Sequence, residues 1–200
     1  MSDEAITQIE LTIAPKWLGV FGRLLSDGFV LTVQTGVSVG TLLCEQLGIE
    51  ADYVANRIQT VFLNSQAVDD VDRAAVPDGA VLALSAAMPG LVGAVMRRGG
   101  VYAGLRSGIS YRPESAPKTV KPGSIKLKLF NMVAKELGPR FLAQGLRIKS
   151  RAFEAFLRDQ PDDFKQGIAA ARVDGRPLEP SGLFEMQWPT KEIQLAVKAL

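Results

Sequence analysis

The side chains that could carry chemistry are few. The 200-residue sequence contains no histidine, so Ser-His-Asp triads, Cys-His dyads and histidine metal ligands are excluded. The single cysteine, Cys44, excludes an intramolecular disulfide and any multi-cysteine metal centre within one chain. It stands beside Leu42 and Leu43 with no local base or cation, the setting of a small core residue rather than a nucleophile. Asp69-Asp70-Val71-Asp72 gathers three carboxylates. It lacks the central glycine and distal glutamate of a calcium loop and reads as a solvated acidic turn. No glycine-rich phosphate loop occurs. The sequence therefore offers no catalytic residue, no metal ligand and no cofactor-binding residue, and it reads as a non-enzyme.

The residues best suited to recognition fall between 91 and 112. Leu91, Val92, Val95 and Met96 form an apolar cluster, followed by Arg97, Arg98, Tyr102, Arg106, Tyr111 and Arg112. Apolar residues rimmed by charge mark interaction sites. Tyrosines interleaved with arginines are also what stacks bases and binds phosphate; a net charge of only +2 argues against nucleic acid as the partner. The expected partner is a protein. Glycines at 99, 100, 104 and 108 lower intrinsic order, so this arm is expected to be poorly ordered alone and to order on binding. Its rivals are a structural hairpin packed between two modules, or a basic arm lying on the chain's own acidic first module. Arg97-Arg98-Gly99-Gly100 would expose a Gly-Gly terminus if cleaved after Gly100; a turn is the plainer reading. Ala80–Met96 is uncharged, but as a helix it would rise about 25 Å against a ~30 Å hydrocarbon core. Pro89-Gly90 also interrupts it, so it reads as a strand and a short apolar segment, not a membrane span. The acidic start of the chain has no signal-peptide pattern, and the expected compartment is the cytoplasm.

The elements that must position these residues divide by charge. Residues 1–90 carry a net −7, residues 91–128 a net +7 and residues 129–200 a net +2. Pro113, Pro117, Pro122 and Gly123 place a linker at 112–123. The expected organisation is a first module at 1–90, an apolar-then-basic arm and linker at 91–123, and a second module at 124–200. The modules read as copies of one unit. Ile9, Leu11 and Ile13 alternate in the first, and Ile125, Leu127 and Leu129 in the second, each specifying a strand with one buried face. The run Arg23-Leu24-Leu25-Ser26-Asp27-Gly28-Phe29 matches Arg140-Phe141-Leu142-Ala143-Gln144-Gly145-Leu146. A second strand follows in each, near 29–33 and 146–149. Ser38 and Ser150 are placed to cap helices whose apolar stripes are Val39, Leu42, Leu43 and Leu47, and Phe153, Phe156 and Leu157. Strand-turn pairs come next, at Asn64-Ser65 and at Asp174-Gly175, the latter a strong hairpin signal. Apolar strands at 80–85 and 193–197 close the copies.

This ββαββ order resembles the ubiquitin-like β-grasp sulfur carriers, the family of the molybdopterin synthase small subunit and the thiamine sulfur carrier. The segments that carry the resemblance are the opening strand pair, "SVGTLLCEQLG", "TVFLNSQAV", "VPDGAVLALSA" and, in the second copy, "RVDGRPLEP". It implies an α+β fold of two tandem β-grasp units. It also implies an accessory role beside a larger enzyme subunit in sulfur transfer or in a molybdenum or tungsten cofactor system. The family's carriers end in Gly-Gly, whose carboxylate becomes a thiocarboxylate. This chain ends Lys198-Ala199-Leu200, so the second copy is not expected to carry sulfur. The competing readings are a carrier released by cleavage after Gly100 and a nucleic-acid-binding protein using the basic arm.

Overall fold

The computed structural model describes residues 6–112, 119–188 and 190–200. Residues 113–118 of the expected linker, including Pro113 and Pro117, lie outside the described residues. The chain is α+β. Its strands in chain order are β1 Thr7–Ile13, β2 Phe29–Thr35, β3 Thr60–Leu63, β4 Gln66–Ala67, β5 Ala80–Ser85, β6 Lys121–Phe130, β7 Leu146–Lys149, β8 Ile168–Val173, β9 Arg176–Leu178 and β10 Glu192–Ala199. The helices are α1 Gly22–Asp27, α2 Val39–Thr41 (continued by a π-turn through Leu42–Gln46), α3 Ala51–Asn56, α4 Gly90–Met96, α5 Asn131–Gln144, α6 Ser150–Arg158, α7 Asp162–Gln166 and α8 Gly182–Glu185. Short 3-10 turns occupy Pro15–Phe21 and Ala103–Arg106.

Two compact units result, and neither is a continuous stretch of chain. Unit 1 comprises residues 1–29 and 135–200, and unit 2 comprises residues 30–134. In unit 1 the strand order is β7-β10-β1-β8-β9. β1 runs parallel to β10, from Thr7 opposite Ile193 to Ile13 opposite Ala199, and antiparallel to β8. Ile9, Leu11, Ile13, Ile193, Leu195 and Val197 are buried, as period-two alternation requires. An aromatic cluster is buried with them: Phe156 lies 4.8 Å from Phe21 and 6.0 Å from Phe164 between ring centres, and Phe153 lies 5.5 Å from Trp188. Both phenylalanines of the α6 stripe are thus in the core. The β8–β9 hairpin turns at Asp174-Gly175 with φ of +49° and +76°, the left-handed pair that a two-residue hairpin needs. The glycines matched in the sequence, Gly28 and Gly145, end α1 and α5 with φ of +96° and +100°. Each also returns its amide to a helix carbonyl, of Leu24 and Phe141.

In unit 2 the order is β4-β3-β5-β6-β2. β5 and β6 run parallel, Ala80 opposite Ile125 through Ser85 opposite Phe130, and β3 is antiparallel to both β5 and β4. Val61, Leu63, Leu82, Leu84, Ile125, Leu127 and Leu129 share a buried core with Val39, Leu42 and Leu43. Ser38 caps α2, its Oγ accepting from the Thr41 amide at 3.0 Å. Asn64 and Ser65 make the β3–β4 turn at positive φ, and Asn64 Oδ1 accepts from Val81 N at 2.8 Å.

Three expectations are corrected. The modules 1–90 and 124–200 are not the compact units, because β1 pairs with β10 and β8 while β6 pairs with β5. Alternating apolar residues specify a strand with one buried face but not the sheet that receives it, and a parallel partner can come from far along the chain. The linker does not reach Gly123: β6 begins at Lys121, Thr35 Oγ1 donates to the Lys121 carbonyl, and Ser124 N donates to Asp78 Oδ1. Ser150 is no cap; it is the first residue of α6, and its Oγ donates to the Lys191 carbonyl.

Candidate interaction strap

The expected arm is a strap of short elements bonded to unit 2. After β5 the chain passes Pro89, which precedes α4, and Gly90 at φ +76°. Gly93 permits a close approach: a Cβ there would fall 1.9 Å from the Met88 carbonyl oxygen. A turn at 97–99 leads to the 3-10 turn Ala103–Arg106, and residues 109–111 then lie beside β4. Ala67 N donates to the Ile109 carbonyl and Tyr111 N to the Ala67 carbonyl, both at 2.8 Å. These bonds occupy the edge of β4, which would otherwise present unpaired backbone groups.

Asp69 is the clasp. Its carboxylate accepts from the Gly99 amide at 2.8 Å and from Arg106 twice, Nη2 to Oδ1 at 2.6 Å and Nη1 to Oδ2 at 3.1 Å. Arg106 is only 3 % exposed. Its remaining donors reach the Val95 carbonyl, Ser110 Oγ and the Arg97 carbonyl, so a buried guanidinium is both paired and saturated with acceptors. Burial pushes the Asp69 carboxyl up, but the Arg106 hydrogen bond, the Gly99 amide and the Arg106 and Arg98 charges outweigh it and hold the carboxyl below its ordinary value. Arg98 makes a second attachment. Its Nη2 donates to the carbonyls of Val54 and Ala55 at the end of α3, and its amide donates to the Gln59 carbonyl. The last carbonyls of a short helix have no intrahelical donor, and a cation suits that end. Burial lowers the Arg98 pKa, against the opposing pull of Asp72 and Asp69.

The residues singled out in the sequence therefore separate into two groups. Arg106 is buried and Arg98 half-buried, and both hold the strap through internal hydrogen bonds. Val95, Met96 and Tyr111 are half-buried, whereas Leu91, Val92, Arg97, Tyr102 and Arg112 are exposed. Leu91 is 71 % exposed and Val92 69 %. Sequence reasoning missed Val101 and Leu105, at 96 % and 73 %, and also Ile109. It missed Asp69 as well, whose partner is 37 residues away. No local spacing rule reports such a pair. The acidic run has internal uses: Asp70 Oδ1 accepts from the amides of Asp72 and Arg73. Gly99-Gly100 forms a turn, with Gly99 at φ +62° and Gly100 N donating to the Arg97 carbonyl, not an extended tail.

Two clefts of unit 2 flank these elements. One of about 460 Å³ lies among Asn64, Gln66, Pro77, Ser107, Tyr111 and Arg112. The other, about 300 Å³, holds the half-buried Cys44 near Thr41, Val54 and Asp72. Among the described residues no helix is long and apolar enough to cross a membrane. Comparison of the chain with protein-family models, curated proteins and solved structures finds no match.

Proposed function

We propose that this chain is a non-enzymatic docking protein. It is built on β-grasp-type units, acts as an accessory to a larger assembly, and carries its docking surface on the strap 88–112. The observation that carries the reading is the combination of strongly exposed apolar side chains, Leu91, Val92, Val101 and Leu105, with a backbone clasped by Asp69 and Arg106. A rigid element that leaves four large aliphatic side chains in water forgoes burial worth about 1.5–3 kcal/mol for each, which a docked surface would recover. The β-grasp assignment is supported by unit 2, where two parallel central strands are flanked by β3 and β2, and α2 and α3 fall between β2 and β3 in the chain. Two observations favour this reading over its rivals. Arg98 and Arg106 are committed to internal acceptors, which weakens the basic arm as a nucleic-acid site. Gly99-Gly100 is held in a turn, which weakens release by cleavage. The link to sulfur transfer or molybdenum and tungsten cofactor assembly rests on the resemblance and is fold-level analogy.

The test is the size of the body on which the tagged chain travels in a gentle cell lysate. The unaltered chain should run in a large species, and the Leu91→Asp/Val101→Asp variant as the free chain. If the unaltered chain runs free, or the variant stays in the large species, the reading is wrong.

A further inference from the structure

The geometry points to an anionic lipid surface as what the strap docks on; this inference rests on the docking reading above. Three observations combine. First, no aspartate or glutamate occurs from Gly79 through Pro113, so the whole strap lacks negative charge, while Arg97 and Arg112 are exposed on it. Arg106 is ion-paired with Asp69 and Arg98 donates to the carbonyls of Val54 and Ala55, so among the described residues of the strap the exposed arginines are Arg97 and Arg112. Second, the strap exposes four aliphatic side chains. Val101 is almost wholly in solvent, and Leu91, Val92 and Leu105 are more than two-thirds exposed. Leu91 and Val92 belong to α4 and Leu105 to the 3-10 turn, while Val101 lies on the segment between them. A protein partner would have to supply a fitted, well-packed pocket for these side chains. The headgroup boundary of a bilayer accepts such side chains without shape complementarity, and cations beside them gain from anionic lipid. Third, the clasp has already fixed the strap backbone, so insertion does not have to order it. The strap would lie in the interface with its aliphatic tips among the headgroups; it does not span the bilayer.

The probes are vesicles of phosphatidylcholine alone and of phosphatidylcholine mixed with phosphatidylglycerol, read by co-sedimentation with the full chain. Binding is expected to the mixed vesicles, little to phosphatidylcholine alone, and less as salt rises through screening. Arg97→Ala/Arg112→Ala should weaken binding about 20- to 30-fold, the value of two cations at an anionic surface. Leu91→Ser/Val101→Ser/Leu105→Ser should weaken it more than tenfold, since each methylene withdrawn is worth a factor of about four. All five side chains are exposed, so the variants should keep the circular dichroism and melting of the parent. Free phosphatidylglycerol headgroup (glycerol phosphate) should not compete at concentrations that leave the vesicles intact; if it does, the site is an anion pocket and the inference fails. Failure to bind mixed vesicles, or binding that survives both variants, also overturns it. If the vesicles fail while the lysate species still depends on Leu91 and Val101, docking stands and the occupant is a protein. If both fail, the docking reading falls too.

Discussion

Neutralising Asp69 should open the strap and leave the rest of unit 2 folded. Asp69→Asn keeps an oxygen that can accept from the Gly99 amide but removes the charge opposite Arg106. The Arg106 side chain is 1 % exposed and that of Asp69 41 %. Removing one partner of a fully buried pair costs about 3–5 kcal/mol, because the other charge stays desolvated. Here the carboxylate already touches water, and Arg106 keeps the Val95, Arg97 and Ser110 acceptors. The cost is accordingly reduced to about 2–3 kcal/mol. Opening is local, since the strap's other ties are a few backbone bonds, so native-state hydrogen exchange is the assay. The amides of Gly99, Ile109 and Tyr111 should exchange roughly 30- to 150-fold faster in the variant. Val61 and Leu82, in strands β3 and β5, should be unchanged. The double substitution Asp69→Leu/Arg106→Met, which removes both charges, should restore much of the protection. The lowered carboxyl fixes the pH sign. This stabilisation is fully present above the ordinary aspartate value and is lost as pH falls through the lowered folded value. The strap of the unaltered chain should therefore loosen in strong acid and not at alkaline pH. Equal acceleration in β3 and β5, or no acceleration in the strap, would refute the clasp.

The remaining predictions concern the fold. Phe156, buried among Phe21, Phe153 and Phe164, should cost about 3–5 kcal/mol when replaced by alanine; urea unfolding of the purified chain checks this. Gly36→Ala should destabilise by more than 1 kcal/mol, because the residue sits at φ +84° and a Cβ would lie 2.4 Å from the Thr119 carbonyl oxygen; thermal melting reads it. A fragment of residues 30–134 should fold cooperatively, whereas 1–90 should not. The latter lacks β6 and its buried Ile125, Leu127 and Leu129, worth about 5–9 kcal/mol against a typical total of 5–15. Dispersed amide spectra from 1–90, with none from 30–134, would show that the sequential modules are the folding units after all.

What could be read from the sequence was what depends on neighbours in the chain. Alternation at 9, 11 and 13 and at 125, 127 and 129 located β1 and β6, and the helical stripe of α6 placed Phe153 and Phe156 in the core. The matched Gly28 and Gly145 marked two helix ends whose left-handed backbone only glycine adopts cheaply. What could not be read depends on partners chosen across long separations. Ile9 and Ile125 carry the same local signal, yet β1 pairs with a strand more than 180 residues away, and nothing in a period of two distinguishes a distant partner strand from a near one. The strap illustrates the same limit in charge. Arg97, Arg98, Arg106 and Arg112 look equivalent as a basic run. Only Asp69 and the end of α3 divide them, holding the buried Arg106 and the half-buried Arg98 as internal ties and leaving two at the surface. The four glycines suggested a mobile arm because they lower intrinsic order. Of these, Gly99 makes a left-handed turn within a bonded strap, and Gly93, outside the four, serves a close approach. Composition therefore identified the segment but not how its residues divide: Leu91, Val92, Arg97 and Arg112 are exposed, whereas Arg106 is buried and Arg98 half-buried. Arg98 and Arg106 hold the strap in place, and Val101 and Leu105, which carried no motif, join Leu91 and Val92 among the side chains it presents to solvent.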